Sequence, residues 1–203
     1  MNAQIQSPLT LKIIHGCKIE PYINDIAKLR ITVFREFPYL YDGSIAYETN
    51  YLKTYTSSAD SIAVLVFDGD QLVGVSTGLP MSDEEASFQR PFKEQGYDIE
   101  TIFYCGESIL LPEYRGQGIY SRFFEQREKQ AKSLGGFKYT AFCAVRRSDN
   151  HPLRSEGYQS LDPVWKKFGY TKHPELTTTY SWKDLNESSE SDKTMVFWMK
   201  EIV

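Results

Sequence analysis

The sequence predicts an α/β domain: a mixed, mostly antiparallel sheet with one central parallel crossover, flanked by helices. Three observations predict it. Asp68-Gly69-Asp70 stands between two apolar runs, residues 61–67 and 72–79, as in an antiparallel hairpin. An apolar run at 101–111, a helical stretch from Gly116 and a second apolar run at 137–145 follow the order of a right-handed parallel crossover. Two further runs, 176–182 and 194–202, close the chain as strands.

Residues 9–15 alternate as a short first strand, and Pro21 then opens a helix with a broad apolar face of Ile23, Ile26, Ala27, Leu29, Ile31 and Phe34. Residues 37–43 end that helix with Tyr39, Tyr41 and Asp42, a loop that reads equally as an aromatic closure of the core or as a substrate lining. Residues 45–58, with Tyr47, Tyr51, Leu52 and Tyr55, suit a second helix, and residues 83–95 suit an acidic, polar one. The strand at 101–111 feeds Pro112 and a glycine turn. The helix beyond it buries Ile119, Phe123, Ala131 and Leu134 and stops at Gly135-Gly136. Residues 146–158 form a polar loop, 161–168 a short helix ended by Gly169, and 186–192 an acidic, serine-rich connection expected to be mobile. No internal repeat is evident, and one domain over residues 1–203 is expected.

A net charge of −4 and a pI near 5.5 argue against general affinity for nucleic acid. Cys17, Cys105 and Cys143 are odd in number and lack metal-ligand spacing, which reads as free thiols in a reducing compartment. His15, His151 and His173 are scattered, so no metal is implied. The start of the chain has neither the basic nor the apolar region of a secretion signal, and no apolar stretch approaches membrane-spanning length; a cytoplasmic location is expected, with no membrane partner.

The stretch Ser108-Ile109-Leu110-Leu111, then Arg115-Gly116-Gln117-Gly118-Ile119-Tyr120, carries the functional signal. Two glycines where a helix begins leave backbone N–H groups uncovered, and the helix start and Arg115 add positive charge, so the turn suits a phosphate. The alternative is a tight strand-to-helix connection that binds nothing. The nucleotide-hydrolase loop and the dinucleotide fingerprint are both absent.

Leu111-Pro-Glu-Tyr-Arg-Gly-Gln-Gly-Ile119 resembles the acyl-CoA signature of the GNAT superfamily of N-acyltransferases: Arg or Gln, two residues, Gly, one residue, then Gly or Ala. Arg115 and Gly118 match, while Tyr120 replaces the final small residue and must either point away from the pyrophosphate or cap it. Trp165-Lys-Lys-Phe-Gly-Tyr170 is similar to the family's Tyr-Glu-Lys-Leu-Gly-Phe segment, and Arg30-Ile-Thr-Val-Phe-Arg-Glu-Phe37 to its first helix.

The resemblance implies the GNAT fold and an N-acetyltransferase that passes the acetyl group of acetyl-CoA to a primary amine of a small molecule or peptide, in a monomer or homodimer. It implies cofactor contacts from the backbone of Ile109, Leu110 and Leu111 and from the turn. It also implies a general base at Glu107, for which an edge carboxylate paired with an arginine is the plain alternative. Trp165 stands where the family's thiolate-protonating tyrosine is expected, which leaves Tyr158 and Tyr170 as substitute acids, each also readable as a core residue. The family's cofactor-contacting Asn has Tyr158 at its place, with Asn150 eight residues earlier. Tyr39, Tyr41, Asp42, His151 and Arg154 are the expected acceptor-binding residues, with Arg147 or Arg154 available to an acceptor carboxylate; the alternative is that these charges pair with each other across the loops. An acyl-CoA sensor of the same fold and a transferase using another acyl donor are the other readings.

Overall fold

The computed structural model describes residues 9–202. Eight strands, β1 (Thr10–His15), β2 (Ile62–Asp68), β3 (Gln71–Pro80), β4 (Ile102–Tyr104), β5 (Ser108–Leu110), β6 (Tyr139–Val145), β7 (Thr171–Trp182) and β8 (Ser191–Glu201), form one sheet. Its order is β1-β2-β3-β4-β6-β8-β7, with β5 paired to β3, and only β4 and β6 run parallel. Gly69, at φ +56, turns the hairpin between β2 and β3 where the Asp-Gly signal stands.

Helices α1 (Ile23–Phe34), α2 (Ile45–Tyr51), α3 (Lys53–Ser57) and α4 (Ala86–Glu94) pack on one face of the sheet; α5 (Ile119–Leu134) and α6 (Asp162–Lys167) pack on the other. Each face has its own apolar cluster. Ile26, Leu52, Tyr55, Phe92 and Phe197 belong to the first, and Phe103, Phe123, Phe124 and Trp198 to the second. Burying each such side chain contributes about 1.5–3 kcal/mol.

Five expectations change. Pro21 falls inside a 3-10 turn, Gly16–Tyr22, and α1 starts after it. The helix expected over residues 45–58 divides at buried Leu52, which places the rings of Tyr51 and Tyr55 edge to face at 6.1 Å. Leu134, the last residue of α5, is exposed; the buried stripe instead runs through Phe123, Phe124, Arg127 and Ala131. Residues 186–192 are pinned rather than loose, because Glu187 accepts from Lys193 Nζ (2.8 Å) and from Ser191 Oγ (2.7 Å), and Ser191 already begins β8.

The strand expected over residues 101–111 is two strands. Cys105 N–H donates to Ala141 O on β6 (2.7 Å), and the next donor, Gly106 N–H, turns to Thr77 O on β3 (3.1 Å). Beyond that point β5 pairs only with β3 and β6 only with β8, so the sheet opens between them. The break needs glycine: a Cβ on Gly106 would stand 1.8 Å from Tyr55 Oη and 2.7 Å from Thr77 Oγ1. Gly106→Ala is therefore expected to destabilise the protein by about 1–3 kcal/mol through overpacking. Chemical denaturation checks this, and an unchanged midpoint would refute it.

Candidate active site

The opening exposes one side of β5. Thr77 N–H donates to Glu107 O and Leu111 N–H to Val73 O, and Val75 lies opposite Ile109. This register commits the backbone groups of residues 107, 109 and 111 to β3. Those of Ser108 and Leu110 face the gap, where Leu110 O accepts from Arg115 Nε (3.2 Å). Of the three backbone donors expected at 109–111, Leu110 is the one left free of β3. Ile109 packs its side chain into the first cluster, and Leu111 packs partly buried at the margins of both.

After a 3-10 turn at Pro112–Tyr114, Gly116 and Gly118 both have φ +78, a conformation that favours glycine. No atom lies within 4 Å of where a Cβ would stand on either, so these glycines keep a concave surface open. No side chain caps α5, and the N–H groups of its first turn are left to a ligand. Gln117 is exposed, and Ile119 packs its side chain into the second cluster. Arg115 also reaches Glu36 at 3.0 Å.

Tyr120 points away from the turn. Its hydroxyl accepts from Trp165 Nε1 (3.0 Å), and its ring packs on Phe124 at 5.2 Å. The tyrosine at the small-residue position and the tryptophan at the tyrosine position thus satisfy each other in the second cluster. Tyr170 is there too, its hydroxyl bonded to Thr140 Oγ1 (2.8 Å) and burial pushing its titration up. As a fully engaged core residue on the far face from Glu107, it is no substitute acid.

Glu107 opens onto a cavity of about 80 Å³ on the other face, walled by rings from Phe34, Tyr39, Tyr41, Tyr47, Tyr51, Phe88, Tyr104, Tyr180 and Trp182. The guanidinium of Arg30 bridges two buried carboxylates there: its Nε pairs with Glu48 Oε2 and its Nη1 with Glu107 Oε2. Oε1 of each glutamate has no partner. Burial raises the Glu107 carboxyl above the ordinary range, against the opposing pull of Arg30. On the sheet's other side Arg127 Nη1 donates to Glu107 O (3.1 Å), which fixes the backbone that carries the carboxylate.

The loop holding Tyr39 and Tyr41 is locked from outside. Arg147 donates to Pro38 O, Tyr39 O and Asp184 Oδ1, each at 2.8 Å, and Trp182 Nε1 donates to Tyr39 O (3.0 Å). These bonds hold buried Leu40 at φ +56, a strain on the order of 1–3 kcal/mol. Arg147 is thereby used structurally and is not available to an acceptor carboxylate. Asp42 is not in the cavity either, since it pairs with Lys183 (2.7 Å) and Arg35 (3.6 Å). His151, Arg154 and Tyr158 gather at Phe37 instead: ring centroids lie 5.7 Å from it for His151 and 4.7 Å for Tyr158, and Arg154 pairs with Asp149 (2.9 Å). Asn150 is exposed on the same loop. Cys143 lines the cavity, but burial pushes its thiol up to about 12, unsuited to a nucleophile.

Arg30 heads the segment that resembles the family's first helix, but neither it nor Glu48 carries a sequence signal for a site residue. Glu84 was missed as well. It is 4% exposed with neither carboxylate oxygen bonded, and burial pushes it up to about 8. Among the described residues no cluster of His, Cys, Asp or Glu could hold a metal ion, and no helix is long and apolar enough to cross a membrane.

No protein-family model and no curated protein matches this sequence. Solved structures do match it in shape. An N-acetyltransferase from Staphylococcus aureus Mu50 superposes with TM-score 0.61 at 12% identity, over 97% of this chain and 100% of that one. An aminoglycoside 6'-N-acetyltransferase complexed with coenzyme A gives 0.57 at 17% identity, over 95% and 97%. Arabidopsis thaliana NAA60 in complex with a bisubstrate analogue gives 0.58 at 10%, over 96% and 99%. The fold is that of the GNAT acyltransferases.

The Glu84 carboxyl is protonated in the fold at a pH where an unfolded chain ionises it. Its favourable contribution is full below about 4.5 and is lost as pH rises towards about 8. Glu84→Gln should therefore raise the melting temperature relative to wild type at pH 8 and change it little at pH 5. Equal effects at both values would refute this.

Proposed function

We propose that this protein is an acyl-CoA-dependent N-acyltransferase, with acetyl-CoA as donor and a primary amine of a small molecule or peptide as acceptor. One observation carries it: β5 links an open, anion-suited glycine turn at one end to a buried carboxylate with one unbonded oxygen, beside an aromatic cavity, at the other. The fold shared with an N-acetyltransferase that holds coenzyme A supports the same reading.

The turn fits the pyrophosphate of such a donor. The N–H groups of Gly116, Gly118 and Ile119 and the charge of Arg115 would hold it, and Leu110 N–H, free of β3, is the donor suited to a thioester oxygen. Bound acetyl-CoA would supply an activated acyl carbon. Glu107 Oε1 is free to take the proton of the attacking amine, and its raised pKa makes it a stronger base than an exposed glutamate. Tyr39 is the proton source for the departing sulfur that the geometry favours over Tyr158. It lines the cavity with Glu107, and burial keeps its hydroxyl protonated, whereas Tyr158 lies under Arg154 against Phe37, outside the cavity lining.

Coenzyme A at about 100 times its Kd should stabilise the fold by ~2.7 kcal/mol, a rise of roughly 5–10 °C in Tm. Gly118→Val, which fills the open turn, should abolish that rise. No shift at millimolar coenzyme A would refute the donor site. In an assay of coenzyme A release from acetyl-CoA and an amine panel, Glu107→Gln and Tyr39→Phe should each lower kcat by about 10² or more. A Tyr39→Phe enzyme with full kcat would return the acid role to Tyr158.

A further inference from the structure

We infer that Tyr47 is the door of the cavity and sets the girth of what enters: an amine on a slender, unbranched stem passes, and one on a branched carbon is held out. The inference rests on the acyl-transfer reading only in calling the entrant an acceptor, and the door can be tested without it.

The residues that line the cavity are buried or half-buried except Tyr47, which among the described residues is the one lining residue open to solvent, at 41% exposed. The cavity therefore meets water at that ring. It is also shut there: the Tyr47 hydroxyl on α2 lies 2.6 Å from the Tyr180 hydroxyl on β7, across 133 residues of chain. A methylene needs about 3.5–4 Å from each neighbouring heavy atom, so no alkyl stem lies between two oxygens at hydrogen-bond distance. Whatever reaches Glu107 from this side has to part the pair.

The two partners are held unequally. Tyr180 stands on a strand paired with β8 and packs on Phe88 at 5.5 Å and on Trp182 at 6.3 Å. Tyr47 stands on the seven-residue helix α2, where its N–H donates to Ser44 Oγ (3.3 Å), and among the described residues its hydroxyl bonds only to Tyr180. The backbone at Tyr47 is thus tied while its ring is not. Exposed side chains change rotamer quickly, and one hydroxyl contact beside water adds little net stability, so the Tyr47 ring swings out while Tyr180 stays. A flat ring that leaves its place vacates a slot one carbon thick, which is the thickness of a straight alkyl stem. A branch exceeds it.

The test labels Cys143, which lines the same cavity and is 8% exposed, with two neutral maleimides of different girth, N-methyl and N-cyclohexyl, read by peptide mass spectrometry. Exposed Cys17 gives the intrinsic ratio of the two reagents, and Cys105, buried on the other face, reports any general loosening. In the wild type the N-methyl reagent should label Cys143 about tenfold or more faster than the N-cyclohexyl one, once corrected by Cys17. Tyr47→Ala should cut that discrimination to within about threefold and leave Cys105 unchanged. Tyr47→Phe keeps the ring and loses the hydroxyl contact, and should speed N-methyl labelling by about two- to tenfold. Discrimination that survives Tyr47→Ala, or a rise at Cys143 that is matched at Cys105, overturns the inference. In the assay of coenzyme A release, Tyr47→Ala should raise kcat/KM for 3-aminopentane relative to pentylamine by about tenfold or more. An unchanged ratio overturns the inference and leaves acyl transfer standing. The expected labelling with no coenzyme A release from any amine would sink acyl transfer and leave the door.

Discussion

The guanidinium of Arg30 between Glu48 and Glu107 is the contact on which the site depends. It joins α1 to α2 and both to the strand break, so three elements distant in sequence meet at one planar group. Burying three charges is not an efficient way to gain stability, because desolvation offsets most of the attraction. Removing one member is costly, on the order of 3–5 kcal/mol, because the others stay buried without it. The arrangement makes sense as positioning. One guanidinium holds two carboxylates at fixed places and leaves one buried oxygen of each without a hydrogen bond among the described residues.

Glycines do opposite work at the two ends of β5. At Gly106 the surroundings are too close for a side chain, and that crowding lets the strand leave β6 and join β3. At Gly116 and Gly118 the surroundings are empty, and the left-handed backbone is what glycine permits. The first opens the sheet, and the second keeps the opening's mouth clear. Between them lies Leu110, whose backbone faces the gap because its neighbours are bonded to β3.

The two departures from the family's pattern explain each other. The tyrosine at the third position of the turn swings into the second cluster, where the indole of Trp165 donates to it. The two aromatic residues are thereby bonded to each other in the core. On the opposite face the loop of Tyr39 is strained at Leu40 and held by Arg147 and Trp182.

By itself the sequence determined the hairpin, the crossover and the glycine turn, because each rests on local signals: an Asp-Gly turn, apolar runs of strand length, and two glycines before a helix. It did not determine which backbone donors of 109–111 are free, since that depends on a register with β3 set some 35 residues away. It misplaced Asp42, because a charged side chain has the same appearance whether it faces a substrate or pairs with Lys183. It gave no sign that Arg30 and Glu48 meet Glu107, because burial is a property of the packed chain. Only the tertiary structure removed water from those carboxylates and set one guanidinium between them.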